Sequence, residues 1–248
     1  MKKSIFSLLL LMLPMLAVAD IIEVDGISYV IVNSDHSAAV NKKNGGYTGD
    51  IVIPATITYN GQTYNVVEVL SYAFSGNDEL KSVTLPESVV ELRDCIFYGA
   101  HGLEMVKMPR NVQKMGNSTF AGCTSLKTFW LPDSATEVRY GTFNGCESLT
   151  EMKLPETVTT IGESAFYGCE GIKTITIPAG VTKIEDTAFY NCNPKDVYCY
   201  AEEVPETGDF VFDLLDFEGV TLHVPASALN AYKDNEAWNV FETISAIR

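Results

Sequence analysis

Phenylalanine recurs at Phe74, Phe97, Phe120, Phe143, Phe166 and Phe189, each 23 residues after the last. Pro86, Pro109, Pro132, Pro155 and Pro178 keep the same step, and so do Cys123, Cys146, Cys169 and Cys192. Three interlocked registers at one period define a repeat, and a period of this length belongs to a solenoid or a comparable stacked array. A unit of this size cannot bury its apolar side alone. Stacked units can, because each covers the next and all share one core.

The positions between the Phe residues give the shape of one coil. Two residues after Phe stand Gly76, Gly99, Gly122, Gly145, Gly168 and then Asn191. Glycine and, after it, asparagine accept φ > 0 most readily, so this place is a left-handed corner. Leu80, Leu103, Leu126, Leu149 and Ile172 follow, six after each Phe. Apolar residues then alternate in Val83 and Leu85, Val106 and Met108, Phe129 and Leu131, Met152 and Leu154, and Ile175 and Ile177. A period of two marks a short strand with one buried face, and the Pro ends each strand where a missing N–H does least harm. Val89, Val112, Ala135, Val158 and Val181, then Leu92, Met115, Val138, Ile161 and Ile184, are expected to point inward on the return side. The predicted fold is mainly β: a solenoid of about six 23-residue coils with a parallel sheet, strands about 4.8 Å apart, and a ladder of Phe rings under the turns.

The pattern Leu149-x-x-Met152-x-Leu154-Pro155-x-x-Val158-x-x-Ile161-Gly162-x-x-Ala165-Phe166-x-x-Cys169 resembles the BspA-like leucine-rich repeat family of bacterial surface proteins. The coil from Ile172 to Cys192 fits equally well, and the resemblance holds tightly from Asn65 to Cys192. Asn77 and Ala100 depart from the Cys of the motif, and Ala135 from its Val. The resemblance implies a secreted or cell-surface protein engaged in adhesion and in host or interbacterial contacts.

Outside the repeats the expected division is a signal peptide over 1–19, an N-terminal β cap over 20–70, the repeats over 71–195 and a C-terminal cap over 196–248. Met1-Lys2-Lys3, the apolar run from Ile5 to Leu16 and Ala17-Val18-Ala19 have the form of a cleavable leader, with Asp20 next. Asp25-Gly26 and Asn60-Gly61 read as hairpin turns, the second between Ile51–Tyr59 and Thr63–Leu70. After Cys192 the register is expected to fail. Val220 to Pro225 then reads as a last strand and Ala226 to Trp238 as a helix, closing a stack whose open edges invite aggregation.

Acids outnumber bases 32 to 17, for a net charge of −15. That argues against a nucleic-acid binder, which neutralises phosphates with a basic surface. His36, His101 and His223 have no second ligand at metal spacing, and the acidic stretch from Glu202 to Glu218 lacks the spacing of a calcium loop. No nucleophile elbow, phosphate loop or dinucleotide fingerprint is present. No enzyme activity, metal or cofactor is therefore expected. The recurring Cys, near enough for a disulfide on distance but pointing the same way, read as small buried residues, Cys95 as nearer the surface, and a Cys192–Cys199 disulfide at the end of the stack stays open.

In a repeat scaffold, function lies on what varies between coils. Trp130 is the outlier among the outward strand positions, between Phe129 and Leu131, which turn inward. Lys107 and Lys153 should flank it, with Met105, Glu104 and Thr128 on the same face. Three readings stand open for these six residues. An exposed Trp can anchor a protein partner, it can stack on a sugar, or the lysines can pack on the indole with no ligand at all. The expected protein is a monomeric, secreted binding protein, placed in the periplasm, at the cell surface or outside, whose partner is an extracellular protein or a glycan.

Overall fold

The computed structural model describes residues 20–213, 215 and 217–247, so the leader expected over 1–19 lies outside the described residues. The described residues open with β1 (Asp20–Val24), β2 (Ile27–Val32) and β3 (Ser37–Val40), which pair antiparallel in that order. Asp25 and Gly26 make the first reversal at φ of 48° and 78°, the mirror-image turn that matches the twist of paired strands. Next, β4 (Gly49–Val52) leaves this sheet, while β5 (Thr56–Tyr59) and β6 (Gln62–Val69) form a hairpin across Asn60-Gly61. The first arm of that hairpin is shorter than the sequence suggests. Ile51 and Val52 pair instead with a later strand, and Pro54, without an N–H, separates the two roles.

From β6 onward each coil supplies two strands, except that the last two coils supply one each. The longer set is β7 (Leu80–Thr84), β9 (Met105–Lys107), β11 (Thr128–Trp130), β13 (Glu151–Lys153), β15 (Thr174–Ile177), β17 (Asp196–Cys199), β19 (Thr221–Val224) and β20 (Thr243–Ala246). The shorter set, on the return side, is β8 (Glu91–Leu92), β10 (Lys114–Met115), β12 (Glu137–Val138), β14 (Thr160–Ile161), β16 (Lys183–Ile184) and β18 (Glu206–Thr207). All pairing within both sets is parallel, with β4 ahead of β7 in the first and β6 ahead of β8 in the second. The solenoid thus has about eight turns. The irregular flanks extend the stack beyond the coils that keep the 23-residue step. The return side, expected only to face inward, carries a second parallel strand row.

The Phe rings stack as expected. Phe74 through Phe189 are fully buried, with neighbouring centroids 5.2–5.6 Å apart and interplanar angles of 5–10°. The expectation that the register fails after Cys192 is overturned. Phe212 lies 23 residues after Phe189 and stacks on it at 5.9 Å and 4°. Glu206 and Thr207 likewise sit opposite Lys183 and Ile184. What breaks is the strand spacing: Asp196 pairs 22 residues after Thr174, and Thr221 pairs 25 after Asp196. Tyr47 meets one end of the ladder, 4.8 Å from Phe74, while Trp238 and Phe241 meet the other, each 5.2 Å from Phe212.

The corner glycines have φ of 66–75°, and Asn191 follows at 54°. A second left-handed place, two residues before each Phe, is occupied by Tyr72, Cys95, Ser118, Gly141, Ser164, Thr187 and Phe210 at φ of 50–60°. Between these corners the turns bond coil to coil, as in Phe97 N–H to Thr119 O and Phe120 N–H to Thr142 O, both 2.9 Å. This makes a third column of hydrogen bonds beside the two strand rows.

Cys123, Cys146, Cys169 and Cys192 are buried, and each thiol donates to the carbonyl of the Phe 26 residues earlier at 3.1–3.2 Å. Burial pushes the Cys123 and Cys192 thiols up to about 12. Cys192 does not meet Cys199, whose sulfur lies 3.1 Å from the Tyr232 hydroxyl; all six cysteines are free. Reactivity follows the thiolate and its exposure. Ellman's reagent should therefore titrate one thiol of the native protein, the partly exposed Cys95, and all six after denaturation. Two or more fast-reacting native thiols would contradict the packed ladder.

The C-terminal helix α1 covers only Leu229–Asp234, not Ala226 to Trp238. Ser227 gives its hydroxyl to Glu202 rather than to a cap, and Ala228 offers no side-chain cap. At the far end Asn235 is extended, and its side chain accepts from Ala237 N–H, bending the chain out of the helix. Tyr232 is buried and donates to Ala201 O at 2.9 Å, and Trp238 is wholly buried beside it.

Candidate functional site

Alternation in β11 decides what faces outward. Phe129 turns in and packs its ring 4.5 Å from Phe120 and 5.1 Å from Phe143. Trp130 therefore turns out and is 65% exposed; Met105, on the neighbouring strand, is 55% exposed. Trp130 lies in register with Lys153, and Thr128 with Glu151. Lys107 is exposed and pairs on its other side with Thr84. Glu104 is not free on this face. Lys127 grips it at 2.6 Å and holds its carboxyl below the usual carboxylate range.

The strands here are not evenly joined. Among the described residues no strand pairing links β9 to β11, and one long backbone bond, Lys127 N–H to Glu104 O at 3.5 Å, joins their leading ends beside the ion pair of the same two residues. A groove of ≈ 420 Å³ opens at that level, walled by Met105, Lys107, Trp130, Pro109, Arg110 and Asp133. It gathers four of the six expected residues, Trp130, Lys107, Met105 and Thr128; Lys153 and Glu104 stand outside its wall. Arg110 and Asp133 were missed. Their signal was position alone, each directly after a strand-ending Pro of adjacent coils.

At the same level on the return side, β10 and β12 are also unpaired, and a smaller gap of ≈ 110 Å³ lies between Met115 and Ala135. Two sequence departures fall on this coil. Phe129 puts a ring where other coils carry Val83, Val106, Met152 or Ile175, and Ala135 stands in the Val row. A second, lesser interruption separates β13 from β15, on one row only.

One further cluster escaped the sequence reading. Asp196, His223 and Ser245 stand on β17, β19 and β20, with Asp196 3.0 Å from one ring nitrogen of His223 and the Ser245 hydroxyl 3.1 Å from the other. These are the residue types of a nucleophilic triad. Here they lie side by side on neighbouring strands of one sheet, and Tyr198 covers one face of the imidazole at 4.3 Å. The two contacts tie the last three strands together through the imidazole. Among the described residues no group of three or more His, Cys, Asp or Glu could hold a metal ion. No described helix is long and apolar enough to cross a membrane.

A stack of short parallel strands, buried Leu positions and a Phe ladder defines a leucine-rich repeat scaffold. The model of the BspA-type leucine-rich repeat region matches residues 54–151 and 136–223, in six copies, and the chain belongs to that family. Among solved structures it is similar to a leucine-rich cell surface protein from Faecalibacterium prausnitzii A2-165, with 28% identity and a TM-score of 0.70 over 83% of this chain and 54% of that one. It therefore spans about half the length of that relative. The fold is also shared with a leucine-rich repeat protein of T. pallidum, at 23% identity and a TM-score of 0.60 over 86% of this chain and 90% of that one. A leucine-rich repeat protein from Eubacterium ventriosum ATCC 27560 shares it as well, at 23% identity and a TM-score of 0.62, over 82% and 50% of the two chains. Among curated proteins no match is found.

Proposed function

We propose that this is a non-enzymatic binding protein, acting at the cell surface or outside the cell, that holds an extracellular protein partner on the sheet face around Trp130. The observation that carries this reading is the exposed indole of Trp130 beside exposed Met105 over an open groove. Aromatic and methionine side chains dominate the centres of protein interfaces, where a few anchors supply most of the binding energy. Lys107 and Arg110 stand in the groove wall with Asp133, and Lys153 and Glu151 follow on the next strand, so charges of both signs surround the anchor and suit a polar partner surface. The cell-surface relative supports the location, as does the leader read over 1–19. In this reading the hairpin strands at the start of the described residues close one end of the stack, and helix α1 with Trp238 and Phe241 closes the other.

The test is a screen of the protein against arrays of extracellular-matrix proteins and of glycans, with Trp130→Ala alongside and a thermal melt as the folding control. Saturable binding to a matrix protein should weaken by about 30-fold or more in the variant, as an anchor worth about 2 kcal/mol requires. Protein binding that ignores Trp130 would overturn the site. Sugar-selective binding lost with Trp130 would move the reading to a glycan-binding accessory protein.

A further inference from the structure

We infer that a second groove, on the turn face of three successive coils, binds a neutral hexose oligosaccharide. This site stands apart from the sheet face and does not depend on the reading of Trp130. It arises from a gap in a row of tyrosines. One residue after Phe, the chain carries Ser75, Tyr98, Ala121, Asn144, Tyr167, Tyr190 and Asp213 in successive coils, so tyrosine stands on both sides of two smaller residues. Where two tyrosines are neighbours they close on each other: Tyr167 and Tyr190 stack at 4.8 Å and 8°. Tyr98 has no such neighbour. Ala121 and Asn144 leave the next two places open, across coil steps of 5.2–5.6 Å.

The space left is a groove of ≈ 380 Å³, within the range of about 300–1,000 Å³ typical of small-ligand sites. Its floor is backbone, because Gly99, Gly122 and Gly145 occupy the left-handed corner and bring no side chain. The floor cannot readily be filled: a Cβ on Gly122 would stand 3.3 Å from the Gly99 Cα. Tyr98 and Tyr140, 53% and 52% exposed, line it from the first and third of the three coils.

The polar groups fit the same ligand. The hydroxyls of Tyr98, Tyr140 and Ser118 and the amide of Asn144 make no hydrogen bond to another described residue. His101 gives one ring nitrogen to Asp78 at 2.7 Å, and that bond fixes the ring while leaving the second nitrogen for a ligand. No Asp, Glu, Lys or Arg lines the groove, although one residue in five of the whole chain is charged. A sugar ring has an apolar C–H face and a rim of neutral hydroxyls. Aromatic faces take the first, and neutral donors and acceptors take the second. The one basic group in the wall, His101, already has its counter-charge in Asp78.

Isothermal titration with cellohexaose, laminarihexaose and maltohexaose, neutral glucose oligomers that differ in linkage, tests the site, with a galacturonic acid oligomer as the charged control. At least one neutral oligomer should bind and the charged one should not. Tyr98→Ala and Tyr140→Ala should each weaken binding about tenfold or more. Ala121→Tyr restores the residue that other coils carry, so it should fold and block the groove. Trp130→Ala should leave sugar binding unchanged, which separates this site from the sheet face. Silence from all three neutral oligomers at about 10 mM, binding that survives Ala121→Tyr, or binding lost only with Trp130→Ala would each overturn the inference.

Discussion

Phe143→Ala should lower the unfolding free energy by about 3–5 kcal/mol, the range for removing a fully buried ring. The upper end is expected. Phe143 is wholly buried and touches three rings: Phe120 at 5.6 Å, Phe166 at 5.3 Å and Phe129 at 5.1 Å. The parallel stacking on either side adds about 0.5–1.5 kcal/mol per pair beyond the area buried. The stack also resists collapse into the hole, because the turns above and below are tied by backbone bonds such as Phe143 N–H to Ala165 O at 2.8 Å. For a chain of this size the loss amounts to roughly 10–20 °C in Tm. Urea unfolding followed by circular dichroism measures it, with Tyr98→Ala, which removes an exposed ring, as the comparison. A loss below about 1 kcal/mol for Phe143→Ala would mean that the ladder is not the packed core described here.

Gly116→Ala should rank second, at about 1–3 kcal/mol or more, and the reason is not backbone conformation. Gly116 has no positive φ. A Cβ there would lie 2.5 Å from the carbonyl carbon of Arg93 and 2.5 Å from the nitrogen of Asp94, both backbone of the preceding coil. No rotamer relieves that clash, so the coils must part. The same row carries Gly162, whose Cβ would meet Val138 O at 2.7 Å. Gly76→Ala gives the contrast. It sits at φ +67° with nothing within 4 Å, so only the left-handed strain of about 1–2 kcal/mol applies. A Gly116→Ala protein as stable as wild type would show that adjacent coils have slack between them.

Much of this fold was legible because the period is written in residue types with narrow uses. Phe, the corner Gly and the strand-ending Pro each tolerate few replacements, so their spacing exposes the coil. The second left-handed corner was not legible. It is held by Tyr72, Cys95, Ser118, Gly141, Ser164, Thr187 and Phe210, a set with no shared chemistry, because the turn bonds impose the conformation. Phe212 was missed because its coil keeps the ring but loses the Leu, Pro and Cys around it. The helix was drawn too long because its apolar positions continue past Asn235, where a side-chain bond turns the chain. At the sheet face the outward direction of Trp130 follows from its neighbours Phe129 and Leu131 alone. The pairing of Glu104 with Lys127 follows from the same 23-residue adjacency that sets Lys153 beside Trp130, and that rule also places Asp78 against His101; it was legible and went unread. The Tyr98 groove was hidden for another reason: it is made by small residues, and an Ala or a Gly draws attention only against the row it interrupts.

At most levels of the stack the coils are stitched in three columns, two of strands and one of turns. Between β13 and β15 one strand column is missing, and between the Phe97 and Phe120 coils both are. There the turn column carries most of the bonding, through Cys95, Phe97 and Gly99 bonded to Asn117, Thr119 and Ala121 at 2.7–2.9 Å, with the long Lys127 backbone bond, the Lys127–Glu104 ion pair and the Ser134 hydroxyl on Val112 O at 2.7 Å beside it. Such a body behaves like a book with one sound spine. A pull along the stacking axis is borne at that level by the turns, the two halves swing apart on the sheet side, and the leaf that opens first is the one on which Trp130 stands.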